Sequence, residues 1–346
     1  MNISDAPGNS ANQPCRIMLT AIIGDSYKDF SKPWLTTIRG WPIISVKQFL
    51  PGGFDNMKEI AIMTDTVSYI PQALVNEYDI KVIPMNVLIE GKNYPENEVD
   101  LPKYYDDFPR WKEEGKLPTT SGVPIGTFLQ AFRDLSKEAK AIIFIGHSNR
   151  LGMTVNVAMQ AKEQAKTELP GTQIEVIDSL TACGAQTLVA LEAARAVTTS
   201  RDLAQVVDLC NAMVKKVKLI VLYDDLYYLA RSGRIARGRA WAASKISNTA
   251  IMEMDASTGG EHKPIARCKT KGQTLATLFD IVRQESADKK LHVILNHSNM
   301  PSEVEEIKEK MLSQFSCAEM YISEIGPVVT AHIGLGVRLV NWWSEG

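Results

Sequence analysis

A short hydroxyl-rich stretch, PTTSGVPIG at residues 118–126, has residue types suited to holding an anion. It precedes a predicted helix and contains Thr120 and Ser121, but it has no acid, histidine or cysteine. Hydroxyl groups and free backbone N–H groups at a helix start favour negative charge, because the unpaired donors and the helix dipole both attract it. The GxxxxGK[ST] pattern of a phosphate loop is missing, so the stretch suits a carboxylate better than a triphosphate. Simple helix capping by the same hydroxyl groups is the alternative.

A second polar stretch, FIGHSNRLGMTVNVA at residues 144–158, joins the end of a predicted strand to a predicted helix. His147 and Ser148 have the residue types of a base and a nucleophile. Adjacent residues on an extended chain point to opposite sides, however, so these two cannot easily form the required hydrogen bond. A GxSxG nucleophile elbow is also absent from the sequence. We therefore predict no catalytic residue.

Arginines gather in a third stretch, DDLYYLARSGRIARGRA at residues 224–240. Its four arginines are Arg231, Arg234, Arg237 and Arg239. A solvated basic face is the usual meaning of such a cluster, and an arginine fork for a carboxylate or phosphate is the more specific interpretation. Nucleic acid is disfavoured, because the formal net charge is −2 and no aromatic residues alternate with the arginines after Arg231.

The last candidate is His332, which lies in TAHIGLG at residues 330–336 ahead of two glycines. Glycines allow the backbone to approach a ligand closely, although a histidine at a strand end is more often only hydrogen-bonded within the fold. None of the five histidines has a metal-ligand spacing such as HExxH, and the acidic residues do not cluster as a metal site. The sequence therefore predicts neither a metal nor a cofactor.

Composition limits the class of protein. The chain has 346 residues, enough for two domains, with 45% hydrophobic and 23% charged residues, as is typical of soluble globular proteins. Its small net charge gives no general attraction to nucleic acid or to an anionic membrane. No apolar run approaches the ~20 residues needed to span a bilayer. The five cysteines are far apart and form no CxxC pair, which is typical of reduced thiols in a cytoplasmic protein.

The elements that must position these residues follow from hydrophobic periodicity. From Met57 onward, short apolar runs alternate with amphipathic stretches, which predicts an α/β protein with mainly parallel strands. Strands are predicted at residues 59–64, 80–89, 141–146, 173–178, 219–224, 250–254, 291–297 and 328–333. Helices are predicted at residues 124–138, 154–168, 184–217 (two helices, the second capped by Thr199 or Ser200), 272–286 and 302–315 (with a capping box of Ser302 and Glu305).

The chain divides into three predicted segments. Residues 1–56 begin with a Ser/Asn/Pro/Gly-rich stretch, so we expect a disordered or non-essential N-terminal extension. A packing arm is the alternative, because this segment contains Trp34, Trp41 and Phe49. The remainder is predicted to form an N-terminal α/β domain at 57–215 and a C-terminal α/β domain at 216–346.

Taken in order, the loops after Met57 resemble those of one family, the DegV family of lipid-binding proteins. The matching stretches are TDTVSYIP (64–71), IPMNVLIEGKNYPE (83–96), PTTSGVP (118–124), HSNRLGMT (147–154), VIDSLTACG (176–184), LYYLARSGRI (226–235) and AHIGLG (331–336). The resemblance implies two α/β domains of the EDD fold, with a mainly parallel sheet in the first and a ligand tunnel between them. It also implies a carrier that buries a fatty acid and presents it to a separate ATP-dependent fatty acid kinase subunit, without turnover of its own.

The resemblance further implies roles for individual residues. Thr120 corresponds to the threonine that contacts the carboxylate, with Ser121 beside it. Arg234 and His332 correspond to residues that contact the ligand headgroup or the kinase. Where the family has LSGT the sequence has LGMT, so Gly152 replaces a serine that supplies the second hydroxyl group. Thr154 and Ser148 are the candidate substitutes for that hydroxyl, and a shift in ligand class is the alternative.

These observations favour a fatty-acid-binding protein. Burial of an acyl chain contributes ~0.8 kcal/mol per CH₂ group, while the carboxylate needs hydrogen bonds once it leaves water. Two alternatives stay open. A phosphotransferase-type enzyme acting on a small carboxylate is disfavoured by the missing phosphate-loop lysine and Mg²⁺ carboxylates, whereas a regulatory binding module for another carboxylate is favoured by Gly152.

Overall fold

The computed structural model describes residues 57–200, 202–235 and 249–346, together with the backbone of residues 37–38 and 41–42. The chain forms two compact units, Met1–Asp55 and Asn56–Gly346. In the first unit, β1 (Thr37–Ile38) pairs antiparallel with β2 (Trp41–Pro42). Apart from these strands, the predicted extension at 1–56 lies outside the described residues, as do Arg237 and Arg239.

A four-stranded parallel sheet forms the first part of the second unit. Its strands are β3 (Lys58–Asp65), β4 (Lys81–Ile83), β8 (Ala139–Gly146) and β9 (Gln173–Asp178), in the order β4–β3–β8–β9. The apolar run Ile142–Ile145 in β8 is fully buried, as expected for a parallel strand covered on both faces. The predicted parallel sheet is thereby confirmed.

A small antiparallel sheet lies next in the chain. It consists of β5 (Asn86–Ile89), β6 (Lys92–Pro95) and β7 (Thr119–Ser121), in the order β6–β5–β7. The single strand predicted at 80–89 is therefore wrong, because the chain leaves β4 at Ile83 and starts β5 at Asn86. Between them, the backbone N–H of Met85 donates to Thr66 Oγ1 at 3.0 Å.

A six-stranded mixed sheet forms the last part of the unit. Its strands are β10 (Lys218–Tyr223), β11 (Thr249–Glu253), β12 (Lys263–Cys268), β13 (Leu291–His297), β14 (Cys317–Glu324) and β15 (Val337–Ser344). The order is β12–β11–β10–β15–β13–β14, in which β13 and β14 are parallel and the other pairs antiparallel. The last strand of the sequence thus lies in the middle of the sheet.

Ten α-helices and three short 3₁₀ helices are described in the second unit. The α-helices are α1 (Gln72–Tyr78), α2 (Leu101–Glu113), α3 (Ile125–Leu135), α4 (Thr154–Glu168), α5 (Cys183–Thr199), α6 (Leu203–Lys216), α7 (Tyr227–Ser232), α8 (Lys271–Ser286), α9 (Pro301–Gln314) and α10 (Pro327–Ile333). The 3₁₀ helices are Thr66–Ser68, Glu96–Glu98 and Ala256–Thr258. No helix in the described part of the chain is long and apolar enough to span a bilayer.

Two predicted helix caps are wrong. The side chain of Asp202 caps α6 by accepting from the N–H groups of the second and third residues of the helix, so neither Thr199 nor Ser200 caps it. The capping box predicted at Ser302 is also absent, because α9 begins one residue earlier, with Pro301 at its first turn and no side-chain cap. Proline suits this position since the N–H that it lacks has no partner within the helix.

Residues 328–333, predicted as a strand, form the short helix α10 instead. Pro327 provides a fixed φ for the first turn, and the carboxylate of Glu96 accepts from the N–H of Val328 at 2.8 Å. The helix ends at Gly334, which has a φ of 81°. A buried carboxylate from a distant part of the chain therefore stabilises the start of the helix that contains His332.

The helix α5 joins the parallel sheet to the six-stranded sheet. Its residues Gly184–Leu191 are buried, and the N–H groups of Gly184 and Ala185 donate to the side chains of Asn296 and Asn341 at 2.9 and 3.0 Å. A Cβ atom on Gly184 would lie 2.6 Å from the Asn341 amide, so only glycine allows this approach. The predicted domain boundary at 215/216 remains a prediction.

Candidate functional site

An apolar cavity of about 260 Å³ lies beyond the carboxyl ends of the parallel strands and against the six-stranded sheet. Val67 and Met85 line it from the loops after β3 and β4, and Leu219, Val221 and Leu339 line it from β10 and β15. The edge at the carboxyl ends of parallel strands is where open α/β sheets bind ligands. The cavity is thus the candidate site.

Thr120 and His332 meet in the wall of this cavity. Thr120 Oγ1 lies 2.8 Å from His332 Nε2, and both side chains line the cavity. Burial, together with the positive charges of Arg234, His147 and Arg231, lowers the pKa of His332 to about 3. The ring is therefore neutral at physiological pH, and its Nε2 either accepts from or donates to the threonine hydroxyl, depending on the tautomer.

Arg234 adds a positive charge to the cavity wall. It follows α7, whose C-terminal glycine, Gly233, has a φ of 75°. Its Nη1 donates to the carbonyl of Ser232 at 2.5 Å and its Nε to the carbonyl of Leu151 at 3.4 Å. Burial lowers the pKa of Arg234, and no carboxylate among the described residues forms an ion pair with it. A half-buried cation of this kind favours an anionic ligand.

His147 and Asp65 form a buried pair at the ends of the neighbouring strands β8 and β3. The Nδ1 atom of His147 lies 3.0 Å from Asp65 Oδ2, and the backbone N–H of His147 donates to the same oxygen at 3.2 Å. The other carboxylate oxygen of Asp65 accepts from the N–H of Val67. Burial favours the neutral ring, but Asp65, with Asp178 and Glu96 beyond it, raises the pKa of His147 above its ordinary value.

Gly152 faces His147. A Cβ atom at position 152 would lie 3.1 Å from His147 Nε2, and among the described residues, chain neighbours aside, no other atom lies within 4 Å of that point. Both residues line the cavity. The imidazole therefore borders the space that a larger side chain at position 152 would enter.

The remaining predicted ligand residues differ in their surroundings. Ser121 lines the cavity, but its hydroxyl donates to Asn93 Oδ1 at 2.8 Å. Thr154 also lines the cavity, with its buried hydroxyl 3.7 Å from the sulfur of Met85. Ser148 is not among the lining residues, and its hydroxyl donates to the carbonyl of Gly260 at 2.9 Å. The structure therefore brings together Thr120, Ser121, Gly152, Thr154, Arg234 and His332, without Ser148.

A buried polar network holds the helix of His332 in place. Glu96 Oε1 accepts from the hydroxyl of Tyr69 and from the N–H of Val328, each at 2.8 Å. The hydroxyls of Tyr104 and Tyr105 donate to the carbonyls of Pro327 and Ile325. Burial raises the pKa of Glu96 despite these hydrogen bonds. The network fixes α10, and with it His332, against the first half of the unit.

One cluster elsewhere in the described residues has the composition of a metal site. Glu192, His292 and Glu319 place their ligand atoms close together. Arg195, however, forms ion pairs with both glutamates at 2.7 and 2.5 Å, and His292 stacks on Trp343. The guanidinium already neutralises the cluster, so it fits a structural ion-pair network better than a cation site.

The fold and the site define a class of protein, namely an α/β protein with an apolar cavity and a hydroxyl, imidazole and guanidinium group in its wall. Residues 59–343 match the family model described as "Uncharacterised protein, DegV family". The chain belongs to the DegV family. The resemblance predicted from the seven loops is thereby confirmed.

Individual relatives are similar over most of their length. A DegV domain-containing protein of Streptococcus pyogenes serotype M1 is 27% identical over 274 residues, which cover 79% of this chain and 94% of the relative. Protein DegV of Bacillus subtilis is 27% identical over 287 residues, with 82% and 98% covered.

Solved structures show the same fold. The crystal structure of DegV, a fatty acid binding protein from Bacillus subtilis, has a TM-score of 0.73 at 25% identity and covers 83% of this chain and 99% of its own. A fatty-acid-binding DegV family protein from Thermus thermophilus has a TM-score of 0.75 at 22% identity, with 83% and 99% covered. The predicted α/β fold class is confirmed.

Proposed function

We propose that this protein binds a long-chain fatty acid in the cavity, with the acyl chain against the apolar lining and the carboxylate at Thr120, Arg234 and His332. The observation that supports this most is the contact between Thr120 and His332 in the wall of an otherwise mainly apolar cavity. The likeness to DegV of Bacillus subtilis, a fatty acid binding protein, supports it independently.

The energetics of the cavity suit an amphipathic ligand. Each CH₂ group of an acyl chain that moves from water onto the apolar lining contributes ~0.8 kcal/mol to binding. The carboxylate must then find donors, because an unpaired buried anion is strongly unfavourable. The hydroxyl of Thr120 and the guanidinium of Arg234 are such donors, and an anion beside Arg234 would also offset the cost of burying that cation.

We infer that the protein presents its ligand and does not itself transfer phosphate. Among the described residues that line the cavity there is no aspartate, glutamate or lysine, so this lining offers neither the carboxylates that hold Mg²⁺ nor a phosphate-loop lysine. A separate ATP-dependent kinase subunit would then act on the exposed part of the bound carboxylate. The free thiols of Cys183, Cys210, Cys268 and Cys317 suit the reducing cytoplasm.

Lipid analysis of freshly purified protein tests the proposal. We expect mass spectrometry to identify one fatty acid per chain, and delipidated protein to regain thermal stability when palmitate or oleate is added. Palmitate methyl ester is the matched control, since it keeps the chain and lacks the anion, and it should bind at least about tenfold more weakly. A protein that contains no lipid and shows no stabilisation by either acid would contradict the proposal.

The same preparation distinguishes the alternatives. With palmitate and MgATP but no partner subunit, we expect no ATP consumption, whereas turnover would identify a phosphotransferase. Stabilisation by a short carboxylate such as acetate or benzoate, without any by palmitate, would instead identify a binding module for another carboxylate.

A further inference from the structure

We propose that His147 is an additional ligand of the bound carboxylate, to which it donates through Nε2–H from a position fixed by Asp65. This inference rests on the proposed function. The sequence argues against His147 as a catalytic base, but that argument does not bear on a role as a ligand.

Asp65 determines which nitrogen of the His147 imidazole is available to a ligand. A carboxylate is an acceptor only, so the Nδ1 atom at 3.0 Å must bear a hydrogen and donate it. The backbone N–H of His147 donates to the same oxygen, and the N–H of Val67 holds the other one. Both side chains are almost fully buried. The ring is therefore held with Nε2 as its only atom left for a ligand.

The Nε2 atom faces the cavity beside Gly152. No hydrogen-bonding partner for Nε2 occurs within residues 57–200, 202–235 and 249–346, and His147 lines the cavity together with Gly152. The point 3.1 Å from Nε2, where a Cβ at position 152 would lie, is left open by the glycine. A ligand oxygen cannot lie at that point, which is one bond length from the Gly152 Cα, but the missing side chain lets it approach Nε2 from the cavity to hydrogen-bonding distance.

Charge decides whether Nε2 attracts a carboxylate. With Nδ1–H bonded to Asp65, a neutral ring has a lone pair on Nε2 and repels an anion, whereas a charged ring donates there. Asp65, Asp178 and Glu96 act from the protein side and favour the charged ring, while burial opposes it and His332 and Arg234 share the cavity. A bound carboxylate adds one more negative charge. Where the free ring is neutral, binding of the anion is therefore expected to take up one proton from solvent.

Calorimetry with dodecanoate, a soluble fatty acid, tests this coupling. Titrations at several pH values, each in two buffers with different enthalpies of ionisation, give the number of protons taken up. For the unaltered protein we expect uptake that rises toward one as the pH passes above the pKa of His147 in the free protein. His147→Gln keeps a donor of similar length but cannot be protonated, so we expect binding about tenfold weaker with no proton uptake.

The controls separate this inference from the proposed function. Dodecanol is uncharged, so His147→Gln should reduce its affinity much less than that of dodecanoate if the variant is folded, and neither protein should take up a proton with it. If His147→Gln binds dodecanoate with unchanged affinity and unchanged proton uptake, His147 is not a ligand, although the protein still binds fatty acids. Uptake that persists in His147→Gln and disappears in His332→Gln would assign the proton to His332 and overturn the inference.

A second measurement does not depend on the variant. In ¹⁵N spectra of histidine-labelled protein, one imidazole should show its Nε2 become protonated when dodecanoate is added at a pH where the free ring is neutral. Spectra in which dodecanoate changes no imidazole nitrogen, while calorimetry shows that it binds, would also overturn the inference.

Discussion

Thr120 Oγ1 and His332 Nε2 lie 2.8 Å apart although 212 positions separate the two residues in the chain. Thr120 belongs to the edge strand of the small antiparallel sheet and His332 to a short helix near the C-terminus. Their contact forms part of the cavity wall from two elements that are distant in the chain. Affinity for a ligand should therefore depend on how both elements are held.

Removal of the Thr120 hydroxyl should weaken carboxylate binding. Thr120→Val keeps the shape of the side chain and its preference for a strand. A hydrogen bond to a charged group contributes about 1.5–3 kcal/mol, so calorimetry with palmitate should show an affinity that is roughly 10- to 150-fold lower. Ser121→Ala is the adjacent control, because that hydroxyl donates to Asn93. Equal losses of palmitate affinity in both variants would contradict the prediction, because they would show that any substitution in the strand Thr119–Ser121 weakens binding.

A methyl group at position 152 should disturb the site through His147. The new Cβ would lie 3.1 Å from Nε2, and the ring cannot easily withdraw because Asp65 bonds both its Nδ1 and its backbone N–H. We therefore expect Gly152→Ala to bind palmitate several-fold more weakly. Gly122→Ala is the control, since Gly122 also lines the cavity and a Cβ there meets no atom of the described residues within 4 Å. A Gly152→Ala variant with full affinity contradicts this prediction.

Gly334 should be intolerant of any side chain. It has a φ of 81°, and a Cβ there would lie 2.1 Å from the ring of Tyr228. Gly334→Ala combines backbone strain with overpacking, so urea unfolding should show a loss of about 2–4 kcal/mol. Gly336 has nearly the same φ, 79°, but a Cβ there meets no atom within 4 Å in the part of the chain that the structure describes, so Gly336→Ala should lose only about 1 kcal/mol. Similar losses at both positions would mean that the Tyr228 contact is unimportant.

The buried carboxyl of Glu96 should make stability depend on pH. Its pKa in the folded protein is raised from 4.5 by burial, so its favourable contribution is fully present below pH 4.5 and is lost as the pH rises through the folded pKa. Glu96→Gln keeps an acceptor for Val328 and does not titrate. The free energy of unfolding of the variant, relative to the unaltered protein, should therefore increase between pH 4.5 and 8.5 in urea titrations. A difference that is constant over this range contradicts the assignment.

Local sequence patterns predict the strands of the sheets better than the elements that long-range contacts stabilise. The strands at 173–178 and 291–297 occur as predicted, because their apolar residues identify them without any partner. Val328 and Val329 favour a strand for the same reason. The helix that they form instead is stabilised by Glu96, 232 positions from Val328, which accepts from the N–H of Val328. No local pattern contains that information.

The strand Val337–Ser344 was missed for a related reason. Arg338 and Asn341 interrupt its apolar pattern, yet both are buried. Arg338 pairs with Asp224, and Asn341 accepts from the N–H of Ala185 and donates to the carbonyl of Ile294. Their polar groups are tolerated in the middle of the sheet only because these distant partners bond to them.

In the site, Thr120, Gly152, Arg234 and His332 were predicted and all line the cavity. His147 was excluded as a catalytic base, and its place beside the ligand space depends on Asp65, 82 positions away. The sequence does contain a signal for this pairing. Both residues follow strands predicted to be parallel, and the carboxyl ends of parallel strands meet at one edge of the sheet.

The central position of β15 also determines when the protein can fold. Because β15 lies between β10 and β13, the six-stranded sheet cannot close until the ribosome has released residues 337–344. Until then, β10 and β13 each present an unpaired edge, of the kind that promotes association between nascent chains. The cavity wall formed by Leu219, Val221 and Leu339 is likewise incomplete. Ligand capture must therefore wait until residues 337–344 have left the ribosome, and the nascent chain is expected to need protection from aggregation until then.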